Sequence, residues 1–295
     1  MGTDAHVIVA DGGAELGDLA RQRIDRLEQR WSRFIATSEI SRLNDHAGTA
    51  VSVSPETQLL VERAIDAWRF TGGGFDPTVL GAMIRAGYDR TFDDVADRAG
   101  RGCSPLGIGA DDIVVDRAAG TVTLPPNTGF DPGGIGKGLA ADLVAADIVD
   151  AGATGVCINL GGDMRVIGEI GGGPWTIALE HAAATEPVTL IGLADGAVAT
   201  STTLRRQWRV EGGTVHHLID PQTELPSDTD LTLATVIAGE AWVAEVLAKA
   251  VILRGSAHPF DILATTGAEA LVIDRDGAIQ ATPGFGRYAA GRRQC

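Results

Sequence analysis

From residue 113 onward the chain is written as short β-rich runs, most of them separated by turn glycines, and this rhythm limits the fold more than any other feature. The runs are IVVD and TVTL around Ala118-Ala119-Gly120, then GVCINL, MRVIGEI, WTIALEH, VTLIGLA, QWRVEG, VHHLID and LTLATVIAG, and finally the pair within EALVIDRDGAIQ. Runs joined by tight turns pair with their sequence neighbours, so the sheets are expected to be largely antiparallel.

Helices are read at three informative places along the chain. From Glu15 to Phe34 the apolar positions Leu16, Leu19, Ile24, Leu27, Trp31 and Phe34 recur at helical spacing between charges, as in an amphipathic helix. Ser54 before Pro55 opens a second helix, which ends at Gly72 to Gly74, because serine caps free amides and proline fits the first turn. A third runs from about Ala241 to Leu253. Helices laid on antiparallel sheets make an α+β protein. With no long linker, low-complexity tract or repeat, residues 1–295 are expected to form one domain of two interlocked lobes.

A chain of 295 residues, 44% hydrophobic, can bury a substantial core. Its formal charge of −15 argues against general affinity for nucleic acid or an anionic membrane, since both need a basic footprint. Any anionic ligand must be held by a local cluster of donors. The N-terminal residues show neither a basic region nor an apolar stretch suited to a signal peptide, no later segment approaches the length of a membrane span, and Cys103, Cys157 and Cys295 have no metal-like spacing. These features lead to the expectation of a cytoplasmic protein with reduced, incidental thiols.

Residues 130–144, FDPGGIGKGLAADLV, set four glycines around one lysine ahead of a helix-like stretch. The Walker pattern fails, because Asp131 and Gly138 stand where it needs glycine and Ser or Thr. GKGLAA fits the spacing of a dinucleotide fingerprint, but Pro125, Pro126 and Pro132 occupy the place of the leading strand and GVCINL ends in glycines rather than an acid. What remains is a helix start near Gly136 whose free amides, with Lys137, suit a phosphate. Asn159-Leu160-Gly161-Gly162-Asp163 follows a strand one helix later, and the two glycine turns are expected side by side, as an extended polar ligand would require.

Blocks along the whole chain resemble the ApbE family in order: MGT at the start, SEISRLN at 38–44, GFDPTV at 74–79, DPGGIGKG at 131–138, NLGGD at 159–163, ATS with RR at 199–206, HHLIDP at 216–221 and DRDG at 274–277. The resemblance implies an α+β fold with an FAD cleft between two lobes. It implies a transferase that moves FMN from FAD to a threonine or serine hydroxyl of an acceptor protein, releasing AMP. Many relatives are anchored lipoproteins; no lipid-acceptor cysteine precedes the MGT block here, in keeping with a cytoplasmic form.

Carried over residue by residue, the resemblance places Met1, Gly74, Phe75 and Asp76 near the flavin. It places Asp131 and Lys137 on the cofactor, with Lys137 at the diphosphate. Gly161, Gly162 and Asp163 form the second turn of the ligand site. Phe34 falls near an aromatic that stacks on the flavin in relatives, although its helical spacing also suits the core. His216 and His217 are read on one strand, pointing to opposite faces; His217 is taken as the base for the acceptor hydroxyl.

The resemblance also implies a Mg2+ site, with the Gly134 carbonyl and an Asp-x-x-x-Thr pair on the late helix. This chain has Glu245 and Lys249 in those positions. An ammonium cannot ligate magnesium and repels it. Glu245 and Lys249 form a charged stripe on a helix otherwise apolar, so they are expected to face a polar site where Lys249 stands in for the cation and Glu245 orients it. A second departure, TTL at 202–204 ahead of Arg205 and Arg206, removes an aspartate and a tyrosine common in relatives. The departures keep two alternatives open, FAD binding without transfer and FAD hydrolysis to FMN and AMP.

Overall fold

The computed structural model of the chain describes residues 3–95, 104–210 and 213–290. Its α-helices are α1 (Ala14–Trp31), α2 (Glu39–Asp45), α3 (Pro55–Phe70), α4 (Leu80–Arg85), α5 (Gly136–Asp150) and α6 (Ala241–Arg254). The chain divides into two compact units. Residues 26–136 and 203–229 build the first; residues 3–25, 137–202 and those from 230 onward build the second.

The second unit is organised by a seven-stranded sheet in the order Ala5–Ala10, Gly155–Leu160, Asp163–Gly168, Gly196–Thr202, Leu231–Ala238, Glu269–Asp274 and Ile279–Ala281. Every neighbouring pair is antiparallel, as the turn glycines require. Strand Leu231–Ala238 is buried along almost its whole length. Leu233 and Ile237 enter a core with Trp175, Ile191, Val198 and Phe285; Ala234 and Val236, out of phase by one, take the opposite face. Helix α6 packs against this strand and Gly196–Thr202, burying Trp242, Val246, Leu247, Val251 and Ile252.

Strand Gly196–Thr202 is missing from the runs read in the sequence, yet it lies in the middle of the sheet. Its residues GAVATST include few large apolar side chains, because α6 lies close over it and leaves room for little more than methyl groups. Strand Ala5–Ala10, at one edge, also goes unread.

The first unit holds a three-stranded antiparallel sheet, Ala50–Ser52, Thr121–Thr123 and Val114–Asp116, with the expected hairpin around Ala118-Ala119-Gly120. A separate core gathers Ala82, Met83, Tyr88, Val95, Trp208 and Ile219, where the indole of Trp208 donates to the Ala86 carbonyl at 2.8 Å. Helix α1 ends at Trp31, three residues earlier than the spacing suggests. Leu16, Ala20, Ile24, Leu27 and Trp31 are buried, whereas Leu19 and Phe34 are each 39% exposed. Phe34 thus lies beyond the helix and outside the core, which removes the packing role that its spacing suggested.

Ser54 caps α3 by accepting from Thr57 N, and Pro55 takes the first turn. Glu39, at the start of α2, accepts from both Ser54 N (3.0 Å) and Ser54 Oγ (2.7 Å), so one serine ties the starts of two helices together. Among the described residues, no helix is long and apolar enough to cross a membrane. Ser54→Ala should lower stability by about 1–2 kcal/mol, since it removes a cap and a charge-assisted hydrogen bond; urea unfolding followed by circular dichroism measures the loss.

Candidate functional site

In the second unit, four charged side chains meet between α5, α6 and a hairpin turn. Lys137, in the first turn of α5, lies 2.8 Å from Asp163 Oδ2 and pairs with Glu245 Oε1. Lys249, one turn along α6 from Glu245, has its ammonium 3.5 Å from the same Glu245 oxygen. Glu245 Oε2 accepts from Gly138 N at 2.8 Å. Glu245 is 1% exposed and Asp163 3%, so the two carboxylates are held in a nearly dry place by two ammonium groups that reach the surface only slightly.

Three local features fix this geometry. Asp163 begins its strand after a two-residue turn, Gly161-Gly162, where both residues have positive φ (65° and 98°); glycine adopts that conformation without steric cost. Asn159 Oδ1 accepts from Gly162 N at 2.8 Å and closes the turn. Gly138 lies against the first residues of α6, where a Cβ would run into the Ala241 carbonyl and the Trp242 backbone. Its role is close approach of two helices, so the amide beside Lys137 serves Glu245 and not a phosphate.

The third feature is Asp142, one turn further along α5. Its carboxylate accepts from Ala241 N (2.8 Å) and Trp242 N (3.0 Å) and so caps α6 from outside, in place of Glu240, which makes no such bond. Arg165 lies 3.4 Å from it. Helix α6 is thereby pinned at its start by Asp142 and one turn later by Glu245. The sequence reading gives no role to Asp142, although it lies inside the stretch 130–144, because nothing local reports on a helix a hundred residues away.

Burial sets the electrostatics. It alone would lower the Lys137 pKa, but Asp163 and Glu245 outweigh it and hold the pKa above the usual lysine value. Burial pushes Asp163 up to about 6 against the pull of Lys137. For Glu245 burial acts upward too, yet Lys137, Lys249 and the Gly138 amide leave the pKa below the usual carboxylate value. Cys157 is a free, buried thiol pushed up to about 11, so it is inert at neutral pH.

In the first unit, the segment from Phe130 to Gly134 is held by residues distant in sequence. Asn44, the last residue of SEISRLN, donates to the Phe130 carbonyl (3.0 Å) and accepts from Phe130 N (2.7 Å). Asp131 Oδ1 accepts from Gly133 N at 2.7 Å, opening the short 3-10 turn Pro132–Gly134. Asp131 Oδ2 lies 3.3 Å from Arg33 Nε. The Arg33 guanidinium sits 4.2 Å from the ring centre of Phe34 and 4.8 Å from that of Tyr88, and donates to the Tyr88 carbonyl at 3.1 Å. Arg33 therefore couples an exposed aromatic ring to a buried carboxylate. Neither Arg33 nor Asn44 receives a role in the sequence reading, although Asn44 lies inside a quoted motif.

Also in the first unit, Phe75 is buried and its amide donates to Thr71 Oγ1 at 3.0 Å, directly after Gly74. Asp76 Oδ1 accepts from both the amide and the hydroxyl of Thr78, and burial raises its pKa despite these bonds. Asp76 is thus a turn former. The two histidines do not share a strand, since the strand Gly213–His216 ends at His216 and His217 follows in a bend. His216 Nδ1 accepts from Leu218 N at 3.3 Å, which turns the chain there, and burial lowers its pKa. The argument from opposite strand faces therefore falls; His217 is set apart from His216 by the bend. Arg205 and Arg206 likewise lie in a bend. Met1 lies outside the described residues.

A divalent ion does not fit the residues at 245 and 249. Both Glu245 oxygens are engaged, by Lys137 and Lys249 on one side and Gly138 N on the other. A metal at this carboxylate would have to displace one ammonium while facing another. Among the described residues no group of three His, Cys, Asp or Glu side chains gathers elsewhere to hold a metal.

The family model described as "ApbE family" matches residues 1–272. The chain is 29% identical over 279 residues to the FAD:protein FMN transferase of Rhodobacter capsulatus, covering 92% of this chain and 52% of that protein. It therefore spans about half the length of that relative. With the FAD:protein FMN transferase of Haemophilus influenzae the identity is 26% over 285 residues, covering 89% of this chain and 81% of the other. The crystal structure of the ApbE protein of Thermotoga maritima superposes with a TM-score of 0.88 at 26% identity, covering 98% of this chain and 96% of that one. The flavin transferase ApbE of Vibrio cholerae shares the fold at a TM-score of 0.81, with 22% identity and coverage of 98% and 96%.

Asp142 supplies a test of the α5–α6 junction. Burial pushes its folded pKa up to about 6, above the usual aspartate value of 3.8. The native state then holds the proton more tightly than the unfolded chain, so stability is lost as pH rises through that window, by about 3 kcal/mol for a shift of roughly two units. Asp142→Asn should flatten the decline in stability between about pH 4 and 6 by up to that amount, as read from urea unfolding at stepped pH.

Proposed function

Since the chain belongs to the ApbE family, we propose that it is a flavin transferase that binds FAD and moves its FMN half onto a threonine or serine hydroxyl of an acceptor protein. The observation that carries this reading is the segment 130–138, in which the family's Asp131 and Lys137 are each fixed by buried partners. In this reading the FAD diphosphate is served by the Lys137 cluster with the Gly161-Gly162 turn and Asp163. Phe34, backed by Arg33, offers the flavin a flat exposed ring. Gly74, Phe75, Asp76 and Asp131 complete the flavin contacts as structural supports of their turns, and we extend the same flavin role to Met1.

The chemistry balances without further reactants. The acceptor oxygen attacks the phosphorus of the FMN half, the bond from that phosphorus to the bridging oxygen breaks, and AMP leaves with that oxygen. His217 takes the hydroxyl proton. FMN remains joined to the protein by a phosphoester bond. No step is assigned to the Gly134 carbonyl or to a Mg2+ ion, because the donors at 245 and 249 do not fit one.

A second reading, FAD binding without transfer, is favoured by Lys249, which brings one positive charge without Lewis acidity to the departing AMP. Purified protein, FAD and an acceptor domain, followed by acceptor mass and AMP release, decide between them. A mass gain of FMN less one water, with equimolar AMP, is the expected result. Bound FAD with no AMP overturns transfer, and AMP with an unmodified acceptor identifies hydrolysis. His217→Ala should slow transfer by about 10²–10⁴-fold, as for loss of a general base, while FAD affinity stays within about threefold of native.

A further inference from the structure

The cluster around Glu245 carries a consequence for how the FAD diphosphate is neutralised. Lys249 and Lys137 contribute two positive charges, and Glu245 and Asp163 two negative ones. The set is balanced before any ligand arrives. Glu245 is buried and holds Lys249, one helical turn along α6, through the oxygen it also shares with Lys137, so the Lys249 ammonium is kept 3.5 Å from the carboxylate and slightly open to solvent. A buried carboxylate already satisfied by two ammonium groups and an amide could take a divalent ion only with that ion facing both ammonium charges at close range. An ammonium placed there also raises the cost of bringing one in.

Resting on the FAD reading above, we propose that Lys249 is the resident cation of the diphosphate site, and that FAD binding by this protein requires no divalent metal. Glu245 acts as its positioning residue, holding the ammonium where a metal-dependent site would place its ion. Lys137 keeps Glu245 ionised and oriented. The ammonium donates hydrogen bonds to phosphate oxygens but accepts no lone pair, so it neutralises charge without polarising the phosphorus as a metal would.

Titration calorimetry of the whole protein with FAD, in chelator and in excess Mg2+, tests this directly. The expected result is the same dissociation constant within about twofold in both conditions, with Mn2+ showing no bound signal by electron paramagnetic resonance when FAD is absent. Lys249→Met, which keeps the length of the side chain and removes its charge, should weaken FAD binding in chelator by at least about tenfold; this corresponds to about 1.4 kcal/mol. Lys249→Arg should restore binding to within about threefold of native. The double variant Glu245→Asp with Lys249→Thr should bind FAD tightly only when Mg2+ is present.

Binding of FAD by the native protein only with Mg2+ overturns the proposal and leaves the FAD reading standing. Undiminished binding by Lys249→Met in chelator does the same. Absence of FAD binding in every condition overturns both. Should Lys249→Met fail to fold by circular dichroism, the native comparison and Lys249→Arg decide the matter: loss of binding in the arginine variant, with its fold intact, counts against a role for the charge.

Discussion

The bond on which the second unit depends is the one between Glu245 and the first turn of α5. A carboxylate that is 1% exposed survives ionised because Lys137 and Lys249 pair with one oxygen and Gly138 N donates to the other. Removing one partner of such a pair typically costs about 3–5 kcal/mol, because the remaining charge is stranded. The same contact demands that α5 and α6 approach closely, and the approach demands glycine at 138. Sequence, packing and electrostatics at this point are a single constraint. The glycine, lysine and glutamate cannot vary independently.

The chain is strongly acidic, with a formal charge of −15, and yet it concentrates cations where the proposed ligand carries its charge. Long-range attraction cannot gather a flavin nucleotide here, since the general field repels anions. Affinity must come from short contacts in a poorly hydrated place, where each interaction is strengthened by the low local dielectric. The structure meets that need by surrounding its cations with their own counter-charges, which keep the site stable when empty. Any anion that approached these ammonium groups would have to compete with Asp163 and Glu245 for them.

Much of this was legible in the sequence. The turn glycines and alternating runs specify antiparallel pairing, Ser54-Pro55 marks a helix start, and Glu245 with Lys249 stand out as charges on an apolar helix. Each of these signals is local, with spacing that reports directly on geometry. What the sequence hid is long-range or compositionally plain. Gly196–Thr202 lacks the bulky residues that mark a strand, since a helix packs close over it. Asp142 caps a helix a hundred residues away, and Asn44 clamps Phe130 across 86 positions. The bend at His217 is hidden because the end of the strand before it is set by a side-chain acceptor on His216, which periodicity cannot report.

Phe34 shows the same limit from the other side. Its spacing continues the apolar stripe of α1, and only the end of the helix at Trp31 releases it to the surface. What then holds the ring is contact with Tyr88, 6.0 Å between ring centres, and with the Arg33 guanidinium, which lies against both rings while it pairs with Asp131. Arginine suits this position because a planar cation can stack on aromatic faces and still direct its edge at a carboxylate. A lysine would keep the charge but lose the stacking surface. Within the first unit, Arg33 therefore links the exposed ring to the start of the 130–138 segment, and the two are parts of a single built feature.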